Sequence, residues 1–595
     1  MAWALLCMVS GCVSAAGIGD FRADYGLDAA RDVRQALALQ PDEVLLCDLS
    51  VDLDEQIPQL AAQGLLNRDE PTVWIDQTPV GWGHGEATWQ TYYPETHGLE
   101  FTRIESLPEF LKRVMPAVNG LVLYDQSGVT DQTTLALNLA NLNACLPVSR
   151  RVYARYRDAF GDAPVIAEAP RDAFSRREIY EWLIAEALPL TDLSAVFSVR
   201  VLAGAHPHGS NQSLDYAFYR RCLIFALADS DDISQEGAEL ADAILSRLDR
   251  PAHVFGWGDG EFHFCKRLSL RGHTWCASVA APNLSFHASV PPLRPPPYTQ
   301  DTTPSVATPE KKVYLAFVSN EGDTTTALTQ LYYRGWDQPA RGKVPLSWAT
   351  NPAYVELFPA SVECYFRTKT ELDYFVCAPS GPGYFYPQYM PLPYLRDVLA
   401  ETARLFEEGI NLTELELWQG ESRTSLEAYA DMLPGLRGLT LEHDILPNMR
   451  VGSRSVPILG HGEKQQYWIT RDEFAERSEV NVEGVIEYLD GLYDPDQLPM
   501  FLPFYGFNES IPNGILELSR ALDPEKYEIV DLGTLMHLAS QVEPADPPPA
   551  RPVNQRWTPE LVRELAAWSD VMNGAIVSVT DDGLRIEIGE GTTWA

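Results

Sequence analysis

The sequence predicts an α/β chain in which an N-terminal α/β domain is followed by a seven-stranded, TIM-like β/α barrel. Three observations predict it. Short apolar runs alternate with stretches of helical periodicity along most of the chain, the mark of an α/β fold. From residue 311 the apolar runs become near-continuous with helix-like stretches between them, as in a parallel sheet covered on both faces. Between the halves, "PPLRPPPYTQDTTPSVATP" carries almost no periodicity, so a domain boundary falls there.

The elements follow in order. "MAWALLCMVSGCVSAAG" is apolar and then small, and "VSGC" at Val9 to Cys12 looks like a bacterial lipoprotein cleavage box. Residues 1–17 are therefore expected to be an export signal leading to the periplasm, the cell surface or secretion, with Cys12 as the anchor. No Lys or Arg precedes Arg22, and the alternative is a buried N-terminal strand or helix. In 18–290, "VLLCDLS", "TVWID", "GLVLYD", "PVIAEAP" and "AVFSVRVLAG" read as strands. Between them "SLPEFLKRVM", "TTLALNLANLNACL" and "SLDYAFYRRCLIFALAD" space apolar residues at helical intervals. Residues 291–310 are a Pro/Thr-rich linker.

The barrel is expected over 311–541. Its strands are "KVYLAFV", "LDYFVCA", "LTELELW", "GLRGLTLE", "VPILGH", "LPMFLPFYG" and "YEIVDLG", with "PYLRDVLAETARLFEEG" and "VEGVIEYLDGLY" among the helices between them. Such a set fits a closed barrel better than an open sheet. Residues 542–595 form a second linker, "PADPPPARPV", then a helix capped by Thr558 with Pro559 in its first turn, then a hairpin around Asp582-Gly583.

Composition narrows the function classes. With 45 Lys+Arg against 83 Asp+Glu, the net charge of -38 repels phosphate backbones and anionic lipid, so nucleic acid is not an expected partner. Neutral ligands are not penalised. No apolar run reaches the roughly 18 residues of a spanning helix. The 9 cysteines contain no CxxC pair; Cys265/Cys276 or Cys364/Cys377 have a pairing option in an oxidising compartment, and buried free thiols are the preferred reading. No metal or other cofactor is expected.

In a β/α barrel, reacting residues lie just past the C-terminal ends of strands. Those positions are rich in acids and rings. "SNEGDTT" after the first strand offers Glu321 and Asp323 around a glycine. "GPGYFYP" after the second offers Gly381, Gly383, Tyr384 and Tyr386. Later strands deliver Trp418 and Gln419, His443 and Asp444, His461 and Glu463, and Tyr505. Before the linker, "GWGDGEFHF" holds Trp257 and Glu261. Rings with sparse carboxylates suit a sugar, whose C–H faces stack on aromatics and whose hydroxyls need partners. Glycosidic cleavage needs paired carboxyl groups, and two acids held close push their pKa values apart.

"GPGYFYP" matches every fixed position of the GxGYxYP signature, and the chain resembles that family. "DLSVDLDEQIPQLAAQGLLNRDEPTVWID" is similar to its "LQGLVNR" region through Gln63, Gly64, Asn67, Arg68 and Pro71, and "VPLSWATNP" also fits. The likeness runs from about Leu45 to Ser540. It implies a glycoside hydrolase of the kind associated with polysaccharide use by gut-type bacteria. It also implies three divergent N-terminal repeats, a seven-stranded barrel, and a site in the cleft between them. The catalytic set it implies is Glu261, Glu321 and Asp323, although Glu321 stands where the family has Asp. The leading expectation makes Glu261 the general acid and Asp323, assisted by Glu321, the group that activates water. Trp257, Gly381, Gly383, Tyr384, Tyr386, Trp418, His443 and His461 are expected to bind substrate.

Plainer readings stand beside these. The signature glycines and tyrosines also suit a packed barrel rim, Asp323 suits a helix cap, Glu261 a solvated hairpin, and His443 and His461 rim or core positions. "HPH" at His206 to His208 is too isolated for a metal site. Two other functions fit the same residues: a non-catalytic glycan-binding protein, or a metal-assisted deacetylase using Asp323 with His443 or His461.

Overall fold

The computed structural model describes the chain from residue 29 to 544 apart from 41, 79–84, 126–130, 170–173, 200–212, 229–232, 259, 279–280, 320–323, 332–333, 419–421, 443–447, 462–468, 471–478 and 507–510. Beyond 544 it describes 576–580 and 583–587. The expected export signal and the helix begun by Thr558 lie outside these residues. The chain divides into two compact units: Met1–Asp249 with Phe255–Gly260 and Ser278–Val290, and Arg250–Val254 with Glu261–Ala277 and Pro291–Ala595.

The first unit is α/β with parallel sheets. Strand β1 (Glu43–Asp48) lies between β2 (Val73–Asp76) and β3 (Glu100–Arg103), parallel to both. Strand β4 (Leu121–Tyr124) lies likewise between β5 (Leu146–Ser149) and β6 (Val165–Ala169). Strand β7 (Ala195–Ser198) pairs in parallel with β8 (Leu223–Phe225) and, on its other side, neighbours β9 (His253–Gly256), where Trp257 N–H donates to Ser198 O. In the two three-stranded sheets the first strand is central.

The helix Leu53–Leu66 follows β1, with Asp52 capping it through a bond from Asp54 N–H. All but its first residue are buried, so its polar side chains need internal partners. Gln63 donates to Asn283 Oδ1 at 2.6 Å, and Asn67 accepts from Thr72 and Val73 N–H while donating to Val73 O and Ser285 Oγ. Arg68 bonds Phe218 O and Asn141 Oδ1. A Cβ at Gly64 would lie 2.0 Å from Asp215 O, so only glycine lets the helix Leu214–Tyr219 come this close.

The second unit is built on one curled sheet. It contains β11 (Val313–Ser319), β12 (Leu346–Thr350), β13 (Asp373–Cys377), β14 (Glu414–Leu417), β15 (Gly438–Glu442), β16 (Met449–Val451), β17 (Val456–His461), β20 (Met500–Gly506) and β21 (Tyr527–Val530). The unit also holds β10 (Thr274–Ala277), and β18 (Ile469–Thr470) forms a two-residue antiparallel ladder with β19 (Glu479–Val480). The sheet runs β16-β17-β15-β14-β13-β12-β11-β20, parallel except for edge strand β16. Strand β21 pairs with Val313 to Ala316 of β11, and β12 takes over at Val318 and Ser319.

Here the structure departs from the seven expected strands. Strand β12 intervenes between the first and second of them, so the signature follows the third strand of the sheet. "LSWAT" is short and carries polar residues at the second position and the end, which hides it among turn-like stretches. The fold satisfies them: Ser347 Oγ accepts from Leu532 N–H at 2.9 Å, and the Trp348 indole donates to Asp373 at 2.9 Å. Among the described residues the ladder is open between β17 and β20, although the His461 and Tyr505 rings stack across that gap at 4.1 Å. Inward residues such as Tyr314, Ala316, Val376, Leu459 and Tyr505 fill the interior together with Leu535 and Met536 of the helix Leu532–Ser540.

The Pro/Thr-rich stretch after 291 has no helix or strand of its own, and it is pinned down. Gln300 bonds both backbone groups of Phe375, and Tyr298 N–H donates to Gly409 O. Near the C-terminus β22 (Ile576–Thr580) and β23 (Gly583–Glu587) form an antiparallel hairpin. All seven cysteines among the described residues are buried free thiols. No helix among them is long and apolar enough to cross a membrane.

Candidate active site

The signature turn leaves β13 and is shaped by its two glycines. Gly381 has φ +153° and Gly383 φ +133°, and a Cβ at either would lie 2.9 Å from a threonine, Thr402 or Thr274. Phe385 between the tyrosines is fully buried and anchors the turn. The backbone of Tyr384 exchanges bonds of 2.7 and 2.9 Å with Trp275 of β10, and Tyr386 N–H donates to Ser269 Oγ. These bonds attach the segment Glu261–Ala277 to the turn. Glu261, expected from the N-terminal domain, therefore belongs to the same unit as the curled sheet.

Glu261 opens the nine-residue helix Glu261–Ser269, where the positive end of the helix dipole favours a carboxylate. It is solvent-exposed, and Tyr384 Oη donates to its Oε1 at 2.7 Å. Tyr386 Oη lies 3.2 Å from Tyr384 Oη. Burial, with Cys265, Glu261 and Tyr386 nearby, holds the Tyr384 phenol well above its ordinary pKa, so it keeps its proton and donates.

The rings behave differently from the expectation of an open sugar-stacking wall. Tyr384 and Tyr386 are each only 4% exposed. Trp275 stacks flat on Tyr384 at 5.7 Å, while Trp418 and Tyr386 meet it edge-on at 5.9 and 5.4 Å. Their faces are spent on packing, and what the turn offers outward is a hydroxyl directed at an acid. The open ring is Phe262, next to Glu261 and 39% exposed, with its ring 5.6 Å from that of Tyr386. Lys266, one turn on, sits over the Phe262 and Tyr389 rings at 5.6 and 4.7 Å.

The other expected residues scatter. Trp257 belongs to the first unit, where its carbonyl accepts from Ser198 Oγ. Trp418 is half-buried at the end of β14. His461 is fully buried inside the sheet, with Nε2 3.1 Å from Glu416 Oε1, so its expected contact with substrate gives way to an interior one. Tyr505 is buried too, its hydroxyl 2.6 Å from Thr440 Oγ1. Glu321, Asp323, Gln419, His443, Asp444 and Glu463 lie outside the described residues. The cap of the helix Thr325–Thr329 is Thr324, which accepts from Ala327 N–H. Thr325 Oγ1 donates to Ala277 O at 3.1 Å, at the end of β10, the strand that backs Tyr384. Among the described residues no group of three His, Cys, Asp or Glu is placed to hold a metal ion.

Sequence reasoning missed Phe262, Trp275 and Glu416. Phe262 left a trace, an aromatic in the open first turn after a glycine-rich stretch. Glu416 left a stronger one, because in "LTELELW" acids alternate with leucines and must share one face of a strand.

Two family models match the chain: the "GxGYxYP putative glycoside hydrolase C-terminal domain" over residues 311–540 and the "GxGYxYP third domain" over 199–289. Together they span more than half of it. Among solved structures, one described as a putative hydrolase from Bacteroides thetaiotaomicron VPI-5482 is similar at TM-score 0.70 and 17% identity, covering 87% of this chain and 97% of that one. One described as a putative polysaccharide deacetylase from Mycobacterium smegmatis reaches TM-score 0.29 and 11% identity, over 42% of this chain and 100% of that one. Comparison with curated proteins gave no match.

Proposed function

The chain belongs to the GxGYxYP family, and from that premise we propose that it is a glycoside hydrolase acting on a poly- or oligosaccharide, with Glu261 as one of the two reacting carboxyl groups. The observation that carries this is the exposed Glu261 carboxylate, fixed by the Tyr384 hydroxyl and set beside the open Phe262 ring. A carboxyl group held in one orientation next to an apolar platform is what cleavage of a sugar linkage requires. The hydroxyl occupies Oε1, which leaves Oε2 for the substrate. Asp323, with Glu321, supplies the partner carboxyl. Delivery by an N-terminal export signal belongs to the same proposal.

Reducing-sugar release from a panel of glycans tests the reading. Glu261→Gln and Asp323→Asn should each lower turnover by about 10²–10⁴-fold with the fold intact. Undiminished activity in both variants would overturn the assignment. A non-catalytic glycan-binding protein, which the exposed Phe262 also suits, would instead show no turnover in the wild type and an affinity that survives Glu261→Gln.

A further inference from the structure

The inner face of the barrel sheet carries a pair of ionisable residues that the proposed reaction leaves unused. On β14, Glu414 and Glu416 project to the same face, and Trp418 follows one step further along it. Glu414 is accounted for by hydroxyl donors, Tyr374 and Thr413, each at 2.8 Å. Glu416 is held differently. Its Oε1 lies 3.1 Å from His461 Nε2, off the line of an ideal hydrogen bond, and both side chains are completely buried. His461 ends β17 and stacks on Tyr505 of β20, whose hydroxyl meets Thr440 of β15. Four strands thus converge on the pair near their C-terminal ends, where this kind of sheet places its chemistry. From there Trp418 leads outward, its ring 5.9 Å from Tyr384, whose hydroxyl holds Glu261.

We propose that Glu416 and His461 keep one proton between them and form a pH-sensitive pair beneath the Trp418 ring, which leads to the Tyr384–Glu261 contact. This rests on Glu261 being the reacting carboxyl. Burial pushes the Glu416 carboxyl up to about 8. At neutral pH the carboxyl therefore carries the proton and the pair has no net charge. The titratable groups that face it among the described residues are Cys377 of β13, Tyr505 of β20 and Glu414 on its own strand; none of them is a cation. Removing the shared proton leaves a bare anion in an apolar enclosure, and the arrangement loosens as pH rises through about 8.

Two readouts on the full chain test this, one of them independent of activity. Side-chain NMR of labelled histidine should show His461 responding to a transition near pH 8 that Glu416→Gln abolishes. In glycan hydrolysis the same variant should lose the alkaline fall of kcat near pH 8 while KM stays unchanged. A His461 titration below pH 7 that is identical in Glu416→Gln would overturn the proposal, and so would an unchanged alkaline limb. Should Glu416→Gln fail to fold, the wild-type His461 titration decides alone. Should the protein show no glycan hydrolysis at all, that titration still separates failure of the pair from failure of the glycosidase reading.

Discussion

Two stretches tie this chain to its family, and they do opposite work. Gln63, Asn67 and Arg68 direct their polar groups inward, at Asn283, at the backbone of Val73 and at Phe218 O, and they bind the first unit together. The signature directs its one available group, the Tyr384 hydroxyl, at an exposed acid. Both are recognisable as motifs, and recognisability says nothing about which is structural. The partners decide: buried backbone groups need satisfying whatever the protein does, whereas a solvent-exposed carboxylate has water and does not need a phenol.

Substitutions should separate the two. The largest effect is expected at Gly64→Ala, because the new Cβ would meet a backbone oxygen that no rotamer can move. A loss of about 3 kcal/mol or more is expected by denaturant titration, with activity per folded molecule unchanged. A normal stability would break the comparison. Next comes Asp215 at the same contact, fully buried and accepting from Ser285 N–H, with its carboxyl raised to about 7 by burial. A raised folded pKa means stability fully present below the ordinary value of 3.8 and lost as pH rises through about 7. Asp215→Asn should remove that decline, on the order of 4 kcal/mol, in unfolding measured between pH 4 and 8. Smallest is Phe262→Ala. An exposed ring contributes little to the fold, so KM should rise several-fold with stability changed by less than about 1 kcal/mol, and Trp at this position should restore it.

The parts of this molecule that could be read in advance follow from local rules. The α/β alternation, the apolar runs of β11, β13, β17 and β20, and the need for glycine at 381 and 383 are each written in a few adjacent residues. Strand β12 escaped because its polar residues are satisfied from β21's end of the sheet, a partner distant in sequence. The burial of Tyr384 escaped for the same reason, since nothing in "GPGYFYP" reveals that Trp275 covers its face. Glu261 was legible as a candidate acid, whereas its attachment to the second unit depends on the β10 bridge to the signature turn.

The central claim is that the signature acts through Glu261. A double-mutant cycle on kcat/KM, with Tyr384→Phe, Glu261→Gln and their combination, tests it most directly. If the hydroxyl works only by fixing the carboxylate, Tyr384→Phe should cost activity in the wild-type background and nothing further once Glu261 is gone. Independent, multiplying losses would show that the tyrosine and the acid do separate jobs, and the account would fail.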